Sequence, residues 1–159
     1  MSSTVWAARL VVSAAFFDLF SQFPLVAPYL ADRFGRVRPL AGGLALIAVA
    51  LLWLAAGGST GALYGAMAVF GLGFGLLFPA ATTLVADATR PHERGLAYGL
   101  FYAVYSLGVV AGGLLSGALA AASGPATRAP FAVAALFALA VALTISVRRP
   151  AGPDPALRS

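Results

Sequence analysis

Asp18 and Gln22 are polar residues within an otherwise apolar stretch that runs from residue 8 to residue 31. They lie four residues apart, so on a helix their side chains share one face, together with Ser21. A carboxylate in apolar surroundings can take up and release a proton or bind a cation. It can equally be a hydrogen-bond partner for a neighbouring helix. The sequence leaves both roles open.

Three tyrosines form a second candidate site. Tyr98, Tyr102 and Tyr105 follow the i, i+4, i+7 spacing that places side chains on one face of a helix. Such a stripe could line a cavity that receives a solute, or it could pack against another helix. Both interpretations remain open at this level.

A charged loop is the third feature. The segment LADRFGRVR, residues 30–38, contains Asp32, Arg33, Arg36 and Arg38, and Gly35 allows a tight turn between them. Basic residues alone would be enough to hold a loop in water. The ordered combination of an acid, a glycine and spaced arginines indicates a defined geometry.

The composition indicates which solvent surrounds these residues. The chain is 61% hydrophobic and 9% charged, whereas a soluble domain carries about 25% charged residues. A small soluble domain leaves much of its surface exposed to water, so it could not hide this much apolar surface. We therefore predict a protein of the lipid bilayer.

Continuous apolar runs predict an all-α integral membrane bundle with five transmembrane helices, since strands of a membrane barrel would alternate over about 10 residues. The predicted spans are 8–31, 39–57, 62–86, 95–121 and 129–147. Residues 1–149 form one transmembrane domain in this prediction. The polar, proline-rich residues 150–159 form a cytoplasmic tail.

The arginines predict the orientation of the bundle. One face carries eight of them: Arg33, Arg36, Arg38, Arg90, Arg94, Arg148, Arg149 and Arg158. The other face has Arg9 and Arg128. Because basic residues favour the cytoplasmic side, we expect the amino terminus outside and the carboxyl terminus inside the cell membrane.

Several function classes are excluded by the residues that the sequence lacks. The chain has no cysteine and a single histidine, His92, so we expect no disulfide, no metal site and no cofactor. The basic residues lie in short loops between apolar runs, which argues against nucleic-acid binding. Asp18 is the only acid in the middle of a span, so a membrane-embedded enzyme is not expected.

The charged loop resembles the signature loop G-x-L-A-D-R-x-G-R-[KR]-[KR] of the major facilitator superfamily of secondary transporters. Five residues fall on motif positions: Asp32, Arg33, Gly35, Arg36 and Arg38. Two positions depart from it, with Pro28 in place of the first glycine and Val37 in place of a basic residue. Residues 71–117 also resemble the family's tenth helix, following loop and eleventh helix, including a P-x-x-R-G element at 91–95.

The resemblance implies the carboxyl-terminal half of such a transporter, helices eight to twelve. The amino-terminal half usually carries an arginine in its fourth helix, and the matching positions here are Met67 and Val69. The implied function is part of a secondary active transporter that moves a small solute by alternating access and is incomplete alone. An amino-terminal half-transporter or a second copy would then be its partner. A small non-transporting assembly or regulatory subunit is the alternative.

The resemblance also places an acid against the signature loop, which here is Asp87 at the end of the third predicted span. We expect Arg33 or Arg36 to pair with it. Glycines four apart form a further pattern, at Gly61/Gly65, Gly95/Gly99, Gly108/Gly112 and Gly113/Gly117. Small residues at this spacing let helix backbones approach closely, either within one chain or between two copies.

Overall fold

A computed structural model describes residues 37–124 and 127–147, together with Arg9, Val11, Val12 and Ala14, which are helical. Four long helices make up most of this described part: α1 (Val37–Ala56), α2 (Thr60–Asp87), α3 (Arg94–Ser123) and α4 (Ala129–Val147). Each is long and apolar enough to cross a membrane, with a mean hydropathy between 1.7 and 2.3. The predicted all-α membrane fold is therefore confirmed for the described residues.

The first predicted span, 8–31, lies outside the described residues except at the four positions named above. The other spans are the four helices, with shifted ends. α1 begins at Val37, two residues before the predicted start, because Pro39 is tolerated within a first helical turn. α2 begins at Thr60 rather than at residue 62, because the Ser59 side chain caps it by accepting a hydrogen bond from the Ala62 amide at 3.4 Å.

The packed part of the bundle is formed by α1 with α2 and α4. Its fully buried apolar side chains are all alanines: Ala48, Ala50, Ala66 and Ala135. Gly43 of α1 faces Gly73 and Leu77 of α2, and Trp53 of α1 lies against Gly65 of α2, so these two helices run antiparallel. In lipid, small residues permit this close approach of backbones, which supplies the packing energy that large buried side chains supply in water.

Helix α3 lies at the edge of the described bundle and has no buried residue. Its large apolar side chains are widely exposed, including Leu96, Leu107 and Leu114. Its six glycines have no described atom within 4 Å of where a Cβ would stand. The G-x-x-x-G pairs of α3 therefore make no close helix contact within the described residues.

Candidate functional site

An aromatic cluster joins α2 to α3. Phe78 of α2 contacts three rings of α3, with ring centroids at 6.0 Å from Phe101, 6.1 Å from Tyr102 and 5.7 Å from Tyr105. Phe74, one turn earlier in α2, stacks on Phe78 at 5.3 Å. These tilted and edge-on arrangements are the ones that aromatic rings prefer. The cluster therefore connects the side chains of the two helices.

Pro79 lies next to the cluster, inside α2. Proline has no amide hydrogen, so the bond that would reach back to the carbonyl of Gly75 cannot form. The hydroxyls of Thr82 and Thr83 both donate to the Pro79 carbonyl, at 3.0 and 2.7 Å. This stretch of α2 therefore combines a missing backbone bond with added side-chain bonds, which is a setting in which helices bend.

The predicted tyrosine stripe meets this part of α2. The Tyr98 hydroxyl donates to the carbonyl of Thr82 at 3.3 Å, and the Tyr102 and Tyr105 rings reach Phe78. The side chains of Tyr102 and Tyr105 remain 47% and 41% exposed. The structure thus brings all three tyrosines together against α2. That they also line a cavity for a solute stays a prediction.

Sequence reasoning missed Phe78, Phe101 and Thr82 as members of this cluster. A phenylalanine in an apolar helix carries no signal of its own, because every neighbouring position is apolar as well. The one signal was Pro79, whose position inside a predicted span indicates where the helix departs from regular geometry.

The signature loop lies mostly outside the described residues. This applies to Asp32, Arg33, Gly35 and Arg36. Arg38 is described, and it is an exposed residue in the first turn of α1 rather than part of the loop. Asp87 is the last residue of α2. Because α1 and α2 are antiparallel, Arg38 and Asp87 lie at the same end of the bundle. The pairing of Asp87 with Arg33 or Arg36 stays a prediction.

Asp18 and Gln22, the polar pair of the first predicted span, also lie outside the described residues. Their roles in proton coupling or in helix packing therefore stay predictions.

Comparison with known proteins gives a family and relatives. The family model described as Major Facilitator Superfamily matches residues 3–159. Proteins named multidrug resistance protein MdtH, from Yersinia enterocolitica, Yersinia pestis and Yersinia pseudotuberculosis, are each 38% identical over 86 residues. The matched segment is 54% of this chain and 21% of each relative. The chain therefore spans about a fifth of the length of the curated relatives that it matches.

Proposed function

The chain belongs to the major facilitator superfamily, and on that premise we propose that it is part of a secondary transporter that moves a small solute by alternating access. It is a multi-pass membrane protein with several apolar helices of membrane-spanning length. In alternating access, two helical bundles rock around a site near the middle of the membrane. No covalent chemistry is involved in that step, so the proposed role is not enzymatic.

The observation that carries this proposal is the exposure of α3 and the position of its tyrosines. This helix has no buried residue, yet it presents Tyr102 and Tyr105 beside Phe78, next to Pro79 of α2. An aromatic face that borders a second bundle would suit the wall of a solute pathway. The relatives are named multidrug resistance proteins, so we propose export of apolar organic solutes, with cationic aromatic compounds favoured by contact with the ring faces.

We further propose that the chain corresponds to helices eight to twelve and functions with a partner. The partner would be an amino-terminal half-transporter or a second copy of this chain, and it would cover the exposed side of α3. The small-residue ridges at Gly108/Gly112 and Gly113/Gly117 are free of described contacts and would permit a close approach of another helix.

The orientation proposal places the ends of α1 and α3 that carry Arg38 and Arg94 in the cytoplasm. Arg90 lies in the loop at the same end of the bundle, and Arg128 lies at the opposite end. This bias follows the positive-inside rule. In a bacterial cell, the protein would then lie in the plasma membrane.

Counterflow of a fluorescent cationic dye into liposomes tests the transport proposal. The chain would be reconstituted alone, at a protein-to-lipid ratio low enough for monomers, and also together with a seven-span amino-terminal piece of a full-length relative. We expect no counterflow by the chain alone and saturable counterflow by the pair. Robust counterflow by isolated monomers would contradict the need for a partner.

A matched control for this experiment replaces Tyr105 of α3 or Phe137 of α4 by alanine in the co-reconstituted pair. Tyr105→Ala should lower dye counterflow, whereas Phe137→Ala, which changes an exposed ring away from the proposed partner surface, should not. Absence of counterflow from the pair and from a dimer-forming preparation, with correctly inserted protein, would favour the non-transporting subunit instead.

A further inference from the structure

A cavity opens at the end of the bundle where α1 ends and where α2 and α4 begin. We call it the Arg128 cavity. Its volume is about 350 Å³, and its lining comes from Arg9, the end of α1, the α1–α2 loop, the start of α2 and the residues around the start of α4. It lies at the opposite end of the bundle from Arg38 and from the α2–α3 loop, and Tyr98, Tyr102 and Tyr105 are not among its lining residues.

Both arginines of this face line the Arg128 cavity. Arg9 comes from the first segment and Arg128 from the residues just before α4. The lining residues within the described part of the chain include no acid. Arg128 Nη1 donates to the Ala56 carbonyl at 2.8 Å, and a guanidinium has five N–H donors, so this bond leaves capacity for a further acceptor.

The amino terminus of α2 adds to the positive potential. Gly58, Ser59 and Thr60 form part of the cavity wall, at the start of a helix of 28 residues. The helix dipole places partial positive charge at this end, which favours an anion. The two arginines and the amino terminus of α2 therefore all make the potential in this cavity more positive.

The rest of the wall is apolar. Trp53, Leu63 and Phe131 line the cavity together with the cationic groups. A small inorganic anion would leave this surface unused, whereas a molecule with an anionic head and an apolar body would cover both parts. Trp53 lies near the end of α1, and tryptophan is enriched where membrane-spanning helices meet the bilayer interface.

We propose that the Arg128 cavity binds the phosphate headgroup of an anionic membrane lipid. Arg128 and Arg9 contact the phosphate, and the glycerol and upper acyl region lies against Trp53 and Phe131. The bound lipid would join the first segment, α1 and α4 at one end of the bundle. This inference does not depend on transport activity.

Trp53 provides a direct probe of occupancy, because the chain has only two tryptophans. The other, Trp6, would be replaced by phenylalanine in all preparations. The full chain would be placed in phosphatidylcholine vesicles that contain, as a minor component, either brominated phosphatidylglycerol or brominated phosphatidylcholine. Bromine quenches tryptophan fluorescence only at short range, so the quenching curves report the lipid next to Trp53.

We expect brominated phosphatidylglycerol to quench Trp53 at lower mole fractions than brominated phosphatidylcholine. Arg128→Gln and Arg9→Gln should each weaken this preference about fivefold, the effect of one basic residue on an anionic surface. Arg128→Lys should retain most of it, which separates charge from a folding defect. Arg90→Gln, which removes an exposed arginine at the other end of the bundle, is the matched control and should leave the preference unchanged.

Three results would overturn the proposal. Equal quenching by the two lipids would show that the cavity does not select an anionic headgroup. Equal losses in Arg90→Gln and Arg128→Gln would assign the preference to general surface charge. Loss of the preference on adding inorganic phosphate, with chloride at the same ionic strength as a control, would identify a site for free phosphate rather than for lipid.

Discussion

Gly43 and Gly73 face each other at the crossing of α1 and α2, so closely that a Cβ on Gly43 would lie 2.7 Å from the carbonyl oxygen of Gly73. The same Cβ would lie 2.8 Å from the amide nitrogen of Leu77. Both neighbours are backbone atoms, which cannot rotate away as a side chain can. The spacing of the two helices is therefore determined by the absence of side chains at this crossing.

Replacing Gly43 by alanine should force α1 and α2 apart. We expect Gly43→Ala to lower the free energy of unfolding by about 1–3 kcal/mol, the usual cost of overpacking. Gly42→Ala is the control, because nothing lies within 4 Å of that Cβ position and alanine favours a helix. Unfolding in mixed micelles, followed by circular dichroism, measures both. Equal stability of the two variants would contradict the close crossing.

Arg128 and Gly57 should behave as a coupled pair. Gly57 has a φ of 78° and lies beneath the Arg128 guanidinium, which a Cβ would overlap. Gly57→Ala should cost about 1–2 kcal/mol through its backbone conformation, and more by displacing Arg128 from the Ala56 carbonyl. Arg128→Ala removes the same bond, worth about 0.5–1.5 kcal/mol.

The double variant should therefore lose less stability than the sum of the single losses, since one bond can be lost only once. Strict additivity, measured by the same unfolding experiment, would show that the guanidinium and Gly57 do not interact.

The all-α membrane fold and four of the five predicted spans were predictable from the sequence, since continuous apolar runs of this length have few alternatives. The close contact between helices was not. Gly43 and Gly73 belong to none of the four G-x-x-x-G pairs, because spacing along one helix describes its own surface and not the residue that faces it. The pairs on α3 matched the pattern well and make no close contact with described residues.

The candidate site was predictable only in part, for a related physical reason. The spacing of Tyr98, Tyr102 and Tyr105 indicates a shared face, and a hydroxyl on an apolar helix stands out. The partner ring, Phe78, does not stand out, because its side chain has the same polarity as its neighbours. The Arg128 cavity depends on three separate segments, and their proximity is a tertiary property that no local pattern contains.

Phe78 should be the main anchor of α3. Phe78→Ala removes contacts with Phe101, Tyr102 and Tyr105, and each aromatic pair contributes about 0.5–1.5 kcal/mol beyond its buried area. We expect faster hydrogen exchange in α3, with little change in α1. Phe137→Ala is the control, because that ring on α4 is 73% exposed. Unchanged exchange in α3 would place its attachment elsewhere.

The membrane topology is testable at two described positions, one at each end of α3. Ala88 follows α2 and Ser123 ends α3, and a single span, α3, separates them. The chain has no cysteine of its own, so Ala88→Cys and Ser123→Cys can each be labelled without background. An impermeant maleimide should label Ser123→Cys in intact cells, and Ala88→Cys only after lysis. Labelling of both in intact cells would refute α3 as a membrane span.

Two positions on α3 distinguish a solute pathway from a surface that only packs or faces lipid. Tyr105 and Leu107 are two residues apart, which places them on nearly opposite sides of the helix, since each residue turns it by about 100°. Tyr105 lies on the side of Phe78, whereas Leu107 is 70% exposed. If the Phe78 side borders a water-filled pathway in the assembled transporter, a thiol there meets water, and a thiol at position 107 meets lipid or the partner.

The chain would carry Tyr105→Cys or Leu107→Cys and be co-reconstituted with the seven-span amino-terminal piece. A charged thiosulfonate should then modify Tyr105→Cys much faster than Leu107→Cys, because the reagent does not enter lipid and a thiol must ionise to react. The transported dye should slow the reaction at position 105 only, because a bound solute would cover that side chain. Equal rates at the two positions, or protection of neither by the dye, would mean that the tyrosine stripe packs against a helix and does not line the pathway.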